Sequence, residues 1–340
     1  MNTQMLNEAL EAPAAVARQL AHNDKEYSAF GEFLRAQAPS AILTVARGSS
    51  DHAASFMAYL IMARLGRLVT SLPMSLITLY HSRIRCDGLV SMAFSQSGQS
   101  PDLVAPIRVF SDGGACTAAF VNDPDSPLAR AVQWLFPLHA GAETSVAATK
   151  SFIAQLVAGV RVVAAWQPDP VLQAALLNLP AALARAASAD WSVAVETLRP
   201  VDRLLVVGRG SGLSVALEAA LKFKETCGIQ AEAFSGAEIK HGPMALIDEG
   251  YPLLVLAPRG PAQAGLLALA DEMRARGARV LLAAPPGTAG ANLPVAQTES
   301  IELDPISMVQ SFYTMVEALA RARGMNPDQP RHLAKVTRTQ

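Results

Sequence analysis

ILTVARGSS, residues 42–50, and LLVVGRGSG, residues 204–212, are two short apolar runs that each end in Arg-Gly-Ser. A run without polar alternation that stops at such a turn reads as a strand buried on both faces, feeding a helix. The two stretches lie 162 residues apart in a chain of 340. The same offset carries the next landmark, FSQSGQSPD at 94–102, onto LAPRGPAQA at 256–264. Both of these also follow an apolar strand and precede a helix. Agreement at two successive strand-to-helix turns indicates two tandem α/β units related by pseudo-symmetry, each a parallel sheet covered by helices on both faces.

The first forty residues carry helical periodicity in Leu6, Leu10, Val16, Leu20, Phe30, Phe33 and Leu34. Strands are expected at Ile42–Ala46, Leu68–Ser71, Leu89–Phe94, Ala115–Val121 and Val132–Leu138, with helices at His52–Leu65 and Asp102–Phe110 between them. A helical region should run from Glu143 to about Leu198, broken near Pro168 and Pro170. The second cycle offers strands at Leu204–Val207, Leu253–Ala257, Val280–Leu282 and Ser300–Leu303, and helices at Leu213–Cys227, Ala262–Arg276 and Ile306–Arg323. The tail NPDQPRHLAKVTRTQ has no helical signature and by itself reads as a polar, basic end.

Bulk composition narrows the function classes. Half the residues are apolar, enough for one large core or two. The formal net charge is −1 and no basic run could track a polyanion, so neither nucleic acid nor an anionic membrane is an expected partner. Cys86, Cys116 and Cys227 are widely separated, which argues against a disulfide framework and fits a reducing, cytoplasmic setting. The N-terminal residues lack the regions of a secretory signal. The six histidines show no metal-ligand spacing. No metal or other cofactor is expected.

In a parallel sheet, ligands bind beyond the carboxyl ends of the strands, where helix N-termini offer free N–H groups and a favourable dipole to a phosphate. The turns Arg47-Gly48-Ser49-Ser50 and Ser95-Gln96-Ser97-Gly98-Gln99-Ser100 concentrate hydroxyls at two such places. Either turn alone is explained by helix capping; the two together favour a phosphate cradle. The counterpart in the second half is Ala257-Pro258-Arg259, without hydroxyls. One phosphoryl site per chain is therefore expected, in the first half. Arg47 either adds charge there or is a surface residue.

The second half carries different chemistry. Glu218, Lys222 and Glu225 follow one another along one helix face at i, i+4 and i+7. Such spacing suits a solvated, salt-bridged stripe. Val215, Leu217, Leu221 and Phe223 instead suggest burial on most sides, and buried charges need partners or a function. His241 sits in Lys-His-Gly-Pro, where glycine and proline fix the backbone around the imidazole.

Taken in order, ARGSSDHAA, SQSGQSPD, AGAETSVAATKSF, GRGSGLSVALEAALKFKE, AEAFSGAEIKHGPMALI and DQPRHLAK resemble the isomerase module of glucosamine-6-phosphate synthase and its sugar isomerase (SIS) relatives. The resemblance covers nearly the whole chain. It implies N-terminal helices over residues 1–40 and two flavodoxin-like SIS domains, 41–188 and 189–325. It also implies a C-terminal segment, 326–340, that closes over the sugar. It assigns the phosphate of a small sugar phosphate to Ser49, Ser50, Ser95, Gln96, Ser97 and Ser100. Glu225 becomes the catalytic carboxylate with Lys222 beside it, His241 the ring-opening group reaching in from the partner subunit of a homodimer, and Lys335 the lysine of the closing segment. Arg47, Glu218, Val146 and Ala148 take supporting places.

Two positions depart from the synthase pattern: Arg47 replaces a small residue, and Ala148 replaces a serine that contacts the sugar. The synthases also carry an N-terminal glutaminase domain with a nucleophilic cysteine, and this chain has no cysteine before Cys86. Glutamine-dependent synthesis by this chain alone is not expected. The pattern is closest to the stand-alone glucosamine-6-phosphate deaminases of the family. A deglycase acting on phosphorylated Amadori compounds is the near alternative, and a non-catalytic sugar-phosphate sensor the more distant one. Retention of Glu225, Lys222, His241 and Lys335 together favours an enzyme.

Overall fold

The computed structural model describes residues 2–335. Three helices lead in: α1 (Gln4–Leu10), α2 (Ala12–Leu20) and α3 (Asp24–Gln37). The apolar run at 42 then folds as β1 (Ala41–Val45) and turns at Gly48 into α4 (Ser49–Leu65). β2 (Val69–Ser71), the short α5 (Ser75–Thr78), β3 (Leu89–Ser95), α6 (Pro101–Asp112), β4 (Cys116–Val121) and β5 (Trp134–Pro137) complete the first cycle. α7 (Lys150–Trp166), α8 (Pro170–Ala187) and α9 (Ser192–Leu198) follow. The second cycle runs β6 (Arg203–Gly208), α10 (Gly212–Cys227), β7 (Gln230–Ser235), β8 (Pro252–Leu256), α11 (Gln263–Ala275), β9 (Arg279–Ala284), β10 (Leu293–Pro294) and α12 (Asp304–Ala322).

The strands form two five-stranded, wholly parallel sheets, ordered β2-β1-β3-β4-β5 and β7-β6-β8-β9-β10. The repeat read from two turns is thus a repeat of whole topology. Each order reverses direction once, between β1 and β3 and between β6 and β8. That switch point opens a crevice at the strand carboxyl ends. Val45, Phe94 and Phe120 in the first sheet, and Val207, Val255 and Leu256 in the second, are fully buried, as strands covered on both faces must be.

The described residues fall into two compact units. One, here the first, comprises residues 14–143 and 150–177 with Ala334 and Lys335; the second comprises residues 2–13, 144–149 and 178–333. Among the described residues no single helix is long and apolar enough to cross a membrane.

Two expectations need correction, and one strand was not expected at all. Ser300–Leu303 is a turn, not a strand: Thr298 donates through its N–H and Oγ1 to Asp304 Oδ1 at 3.0 and 2.8 Å, which curls the chain into α12. The outer strand of that sheet is β10 instead. Residues 143–149 are not helical, because α7 starts only at Lys150. Strand β7 was hidden in QAEAFS, whose alanines and glutamate carry little β propensity; its pairing with β6 overrides that preference.

Candidate functional site

The hydroxyl-rich turns occupy the switch point of the first sheet. Ser49 and Ser50 open α4 after β1; Ser95 ends β3, and Gln96, Ser97 and Ser100 fill the loop before α6. Gly98 makes this loop possible. Its φ is +63°, and a Cβ there would stand 2.2 Å from Ser126 Oγ and 2.8 Å from Val121 Cγ2. Arg47 links the two turns, its Nε 3.2 Å from Asp102 Oδ2 in the first turn of α6. This arginine is exposed and committed to a carboxylate, so it braces the two turns.

Three of the serine oxygens already accept a hydrogen bond. Ser95 Oγ takes the Gly98 N–H at 2.9 Å, Ser97 Oγ takes that of Gln99 at 3.3 Å, and Ser50 Oγ takes Gln155 Nε2 at 3.0 Å. A serine that accepts internally still has its one proton to give. The turns are therefore locally braced and still able to donate.

The equivalent switch point of the second sheet is closed. Arg259 forms a bidentate pair with Asp304, at 2.6 and 2.8 Å, and its Nη2 donates to the Thr298 carbonyl at 2.7 Å. A guanidinium stands where the first half has hydroxyls, and it is consumed within the fold.

On α10 the three charged residues are no solvated stripe. Glu218 is 0 %, Lys222 1 % and Glu225 21 % exposed. Lys222 Nζ lies 3.1 Å from Glu218 Oε1 and 2.7 Å from Glu225 Oε2. Tyr313, on α12, donates its hydroxyl to Glu218 Oε1 at 3.0 Å. Burial alone would depress the Lys222 ammonium, but the carboxylates of Glu218 and Glu225 override it and hold the group above the usual lysine range. The outcome is a fixed positive charge in contact with one carboxylate that remains partly open. A cavity of about 420 Å³ adjoins Glu225, lined among others by Lys224, Met325, Gln329, Arg331 and His332.

His241 is exposed at the end of a 3-10 turn, Glu238–His241, followed by Gly242 at φ 139° and Pro243. Val146 and Ala148 lie half-buried in the loop before α7, and the Val146 N–H donates to the Asp328 carbonyl at 3.2 Å. Lys335 Nζ sits 3.1 Å from Glu143 Oε2. Residues 336–340 of the expected closing segment lie outside the described residues.

Sequence reasoning passed over Glu143, Gln155, Asp102 and Tyr313. Glu143 stands inside a quoted motif, but nothing in its spacing points to a lysine 192 residues away. Gln155 and Tyr313 look like ordinary members of helical patterns.

Comparison with known proteins places the chain. The SIS domain matches residues 36–165 and again 197–320. A glutamine–fructose-6-phosphate aminotransferase [isomerizing] of Zymomonas mobilis is 33 % identical over 312 residues, covering 86 % of this chain and 51 % of that protein. The chain thus spans about half the length of such curated relatives. A crystal structure from Silicibacter pomeroyi, provisionally described as a phosphosugar isomerase, superposes with a TM-score of 0.91 at 42 % identity, covering 96 % of this chain and all of that one. The C-terminal domain of glucosamine-fructose-6-phosphate aminotransferase from Francisella tularensis has the same fold, with a TM-score of 0.85 at 24 % identity over 97 % of this chain and 99 % of that one. Two SIS domains in tandem, and homology to the isomerase module of that aminotransferase, mean that the chain belongs to the SIS domain family.

Proposed function

We propose that the protein is a phosphosugar isomerase that deaminates glucosamine 6-phosphate to fructose 6-phosphate and ammonia. The observation that carries this reading is the α10 array: a buried ammonium held between two carboxylates, one of them, Glu225, partly open. Proton transfer next to a carbonyl needs a base and a fixed positive charge for the developing oxyanion, and this array supplies both. In this reading the cradle of Ser49, Ser50, Ser95, Gln96, Ser97 and Ser100 anchors the carbon-6 phosphate. It takes no part in bond making and acts through positioning.

The sugar must first open. His241 moves the proton from the anomeric hydroxyl to the ring oxygen, freeing the carbon-1 aldehyde. Glu225 then removes the hydrogen on carbon 2, which carries the amine, while Lys222 stabilises the charge gathering on the carbon-1 oxygen. Returning that proton to carbon 1, while one proton passes from the amine to the carbon-1 oxygen, leaves an imine at carbon 2. Water adds to the imine and ammonia departs. Glu218, sealed by Tyr313, holds Lys222 in place. His241 acts in this scheme from a second copy of the chain, and Lys335 from the closing segment.

The cavity against Glu225 favours one second reading. Its volume and its lining of Lys224, Arg331 and His332 suit an anionic substituent on the amine, as in an Amadori-type adduct with an amino acid. The test is direct. Purified protein is given glucosamine 6-phosphate or a fructosamine 6-phosphate bearing an amino acid, and ammonia, free amino acid and hexose phosphate are measured together. Equimolar ammonia and fructose 6-phosphate from the first substrate support deamination; release of amino acid from the second alone transfers the assignment to deglycation.

A further inference from the structure

Gln155 lies in α7 among Ile153, Ala154 and Leu156, all fully buried, and is itself 1 % exposed. Its Nε2 donates to Ser50 Oγ at 3.0 Å, while its Oε1 is buried without a hydrogen-bond partner. An amide with one end unpaired destabilises a buried helix relative to an apolar side chain. That cost directs attention to what the other end does.

We propose that Gln155 is a positioning residue of the phosphate cradle, whose amide donates to Ser50 and thereby turns the Ser50 proton outward, toward a phosphomonoester dianion. The inference rests on the reading of Ser50 as a phosphate ligand. A dianion only accepts hydrogen bonds, so each hydroxyl that binds it must give its single proton. A hydroxyl whose oxygen is already engaged by a donor has that proton left for the ligand; one facing an acceptor has it drawn inward. Ser95 and Ser97 obtain their donors from backbone N–H groups of their own loop. Ser50 obtains its donor from a side chain, so this contact can be altered without disturbing a turn. Reversal of the amide would place Oε1 on Ser50 and leave both N–H groups of Nε2 unpaired, where the present orientation leaves one N–H and the oxygen; a buried orphan N–H is rarer than an under-satisfied carbonyl oxygen.

The test measures the dissociation constant of glucitol 6-phosphate, an open-chain phosphomonoester that cannot react, for wild type, S50A, Q155L, S50A/Q155L and Q155E. Loss of one charge-assisted hydrogen bond should weaken S50A about tenfold. Q155L should weaken binding to a similar degree, and the double variant no further than S50A, because both changes remove the same contact. Q155E keeps the side-chain volume and separates orientation from packing. As a carboxylate it draws the Ser50 proton inward; once protonated it donates as the amide does. The ratio of its dissociation constant to that of wild type should therefore fall as pH is lowered from 8 to 6, while the S50A ratio stays flat. Wild-type binding by Q155L, additive losses in the double variant, or a Q155E ratio independent of pH would each overturn the proposal. Unchanged binding by S50A would instead remove the cradle reading beneath it.

Discussion

Lys335 Nζ and Glu143 Oε2 are 3.1 Å apart, and Glu143 is completely buried. The same carboxylate receives the Ser151 N–H on Oε1 at 3.1 Å and the Ser151 hydroxyl on Oε2 at 2.5 Å, in the first turn of α7. A residue near the end of the chain is thus tied to the start of a core helix. Glu143→Gln should retain both Ser151 contacts, with the new amide donating to the hydroxyl, while losing the ion pair. Turnover should fall in E143Q and fall further in K335A, with KM and kcat recorded for both and unfolding midpoints as the control. Wild-type turnover in K335A would exclude Lys335 from the reaction.

Lys222 leaves an uncompensated charge behind when it is removed. Lys222→Met strands the fully buried Glu218 and should cost about 3–5 kcal/mol in denaturant unfolding. The pH dependence of that loss has a definite sign. A lysine whose pKa is raised by folding contributes fully below its unfolded value of 10.5, and loses that contribution only as pH rises through the higher folded value. The K222M penalty should therefore not shrink from pH 7 to 9. A penalty that fades across this range would contradict the arrangement.

Acid should act on the first unit through His139. Its Nε2 lies 2.8 Å from Asn23 Oδ1 and its ring stacks on His22 with centroids 4.5 Å apart. Burial, then His22, Arg161 and Arg18, hold its pKa below the ordinary 6.5. On acidification the unfolded chain binds the proton first, so this contribution is complete above 6.5 and is lost as pH falls through the depressed folded value. Unfolding midpoints should decline on the acid side of neutrality, and less steeply in H139N. Equal slopes in the two proteins would rule His139 out as a source of the decline.

The proposal that His241 acts from a second copy of the chain makes a prediction for mixed subunits. E225Q and H241N should each be inactive as pure proteins. Unfolded together and refolded, they should recover about a quarter of wild-type activity, since half the dimers are mixed and each holds one intact site. Recovery no better than the sum of the two pure variants would place Glu225 and His241 in the same copy.

Much of this could be read in the chain. The apolar runs at 42 and 204 announced the doubled sheet because strands covered on both faces have no polar alternation to obscure them. The loss of hydroxyls at Ala257-Pro258-Arg259 showed that the second switch point differs, though not that Arg259 would close onto Asp304. Spacing placed Glu218, Lys222 and Glu225 together, yet spacing is blind to depth; burial came from the apolar residues around them and from Tyr313, on a distant helix. Glu143 and Gln155 were hidden for a related reason. Their roles depend on partners 192 and 105 residues away, and local pattern carries no trace of such contacts.

The central claim is that Glu225 carries hydrogen from carbon 2 to carbon 1 of an amino-sugar phosphate. The most direct measurement compares wild type with E225Q on glucosamine 6-phosphate, following ammonia release and, separately, binding of glucitol 6-phosphate. Wild type should release ammonia, while E225Q loses turnover by about two to four orders of magnitude and binds as before. An E225Q protein that still turns over near the wild-type rate would contradict the account.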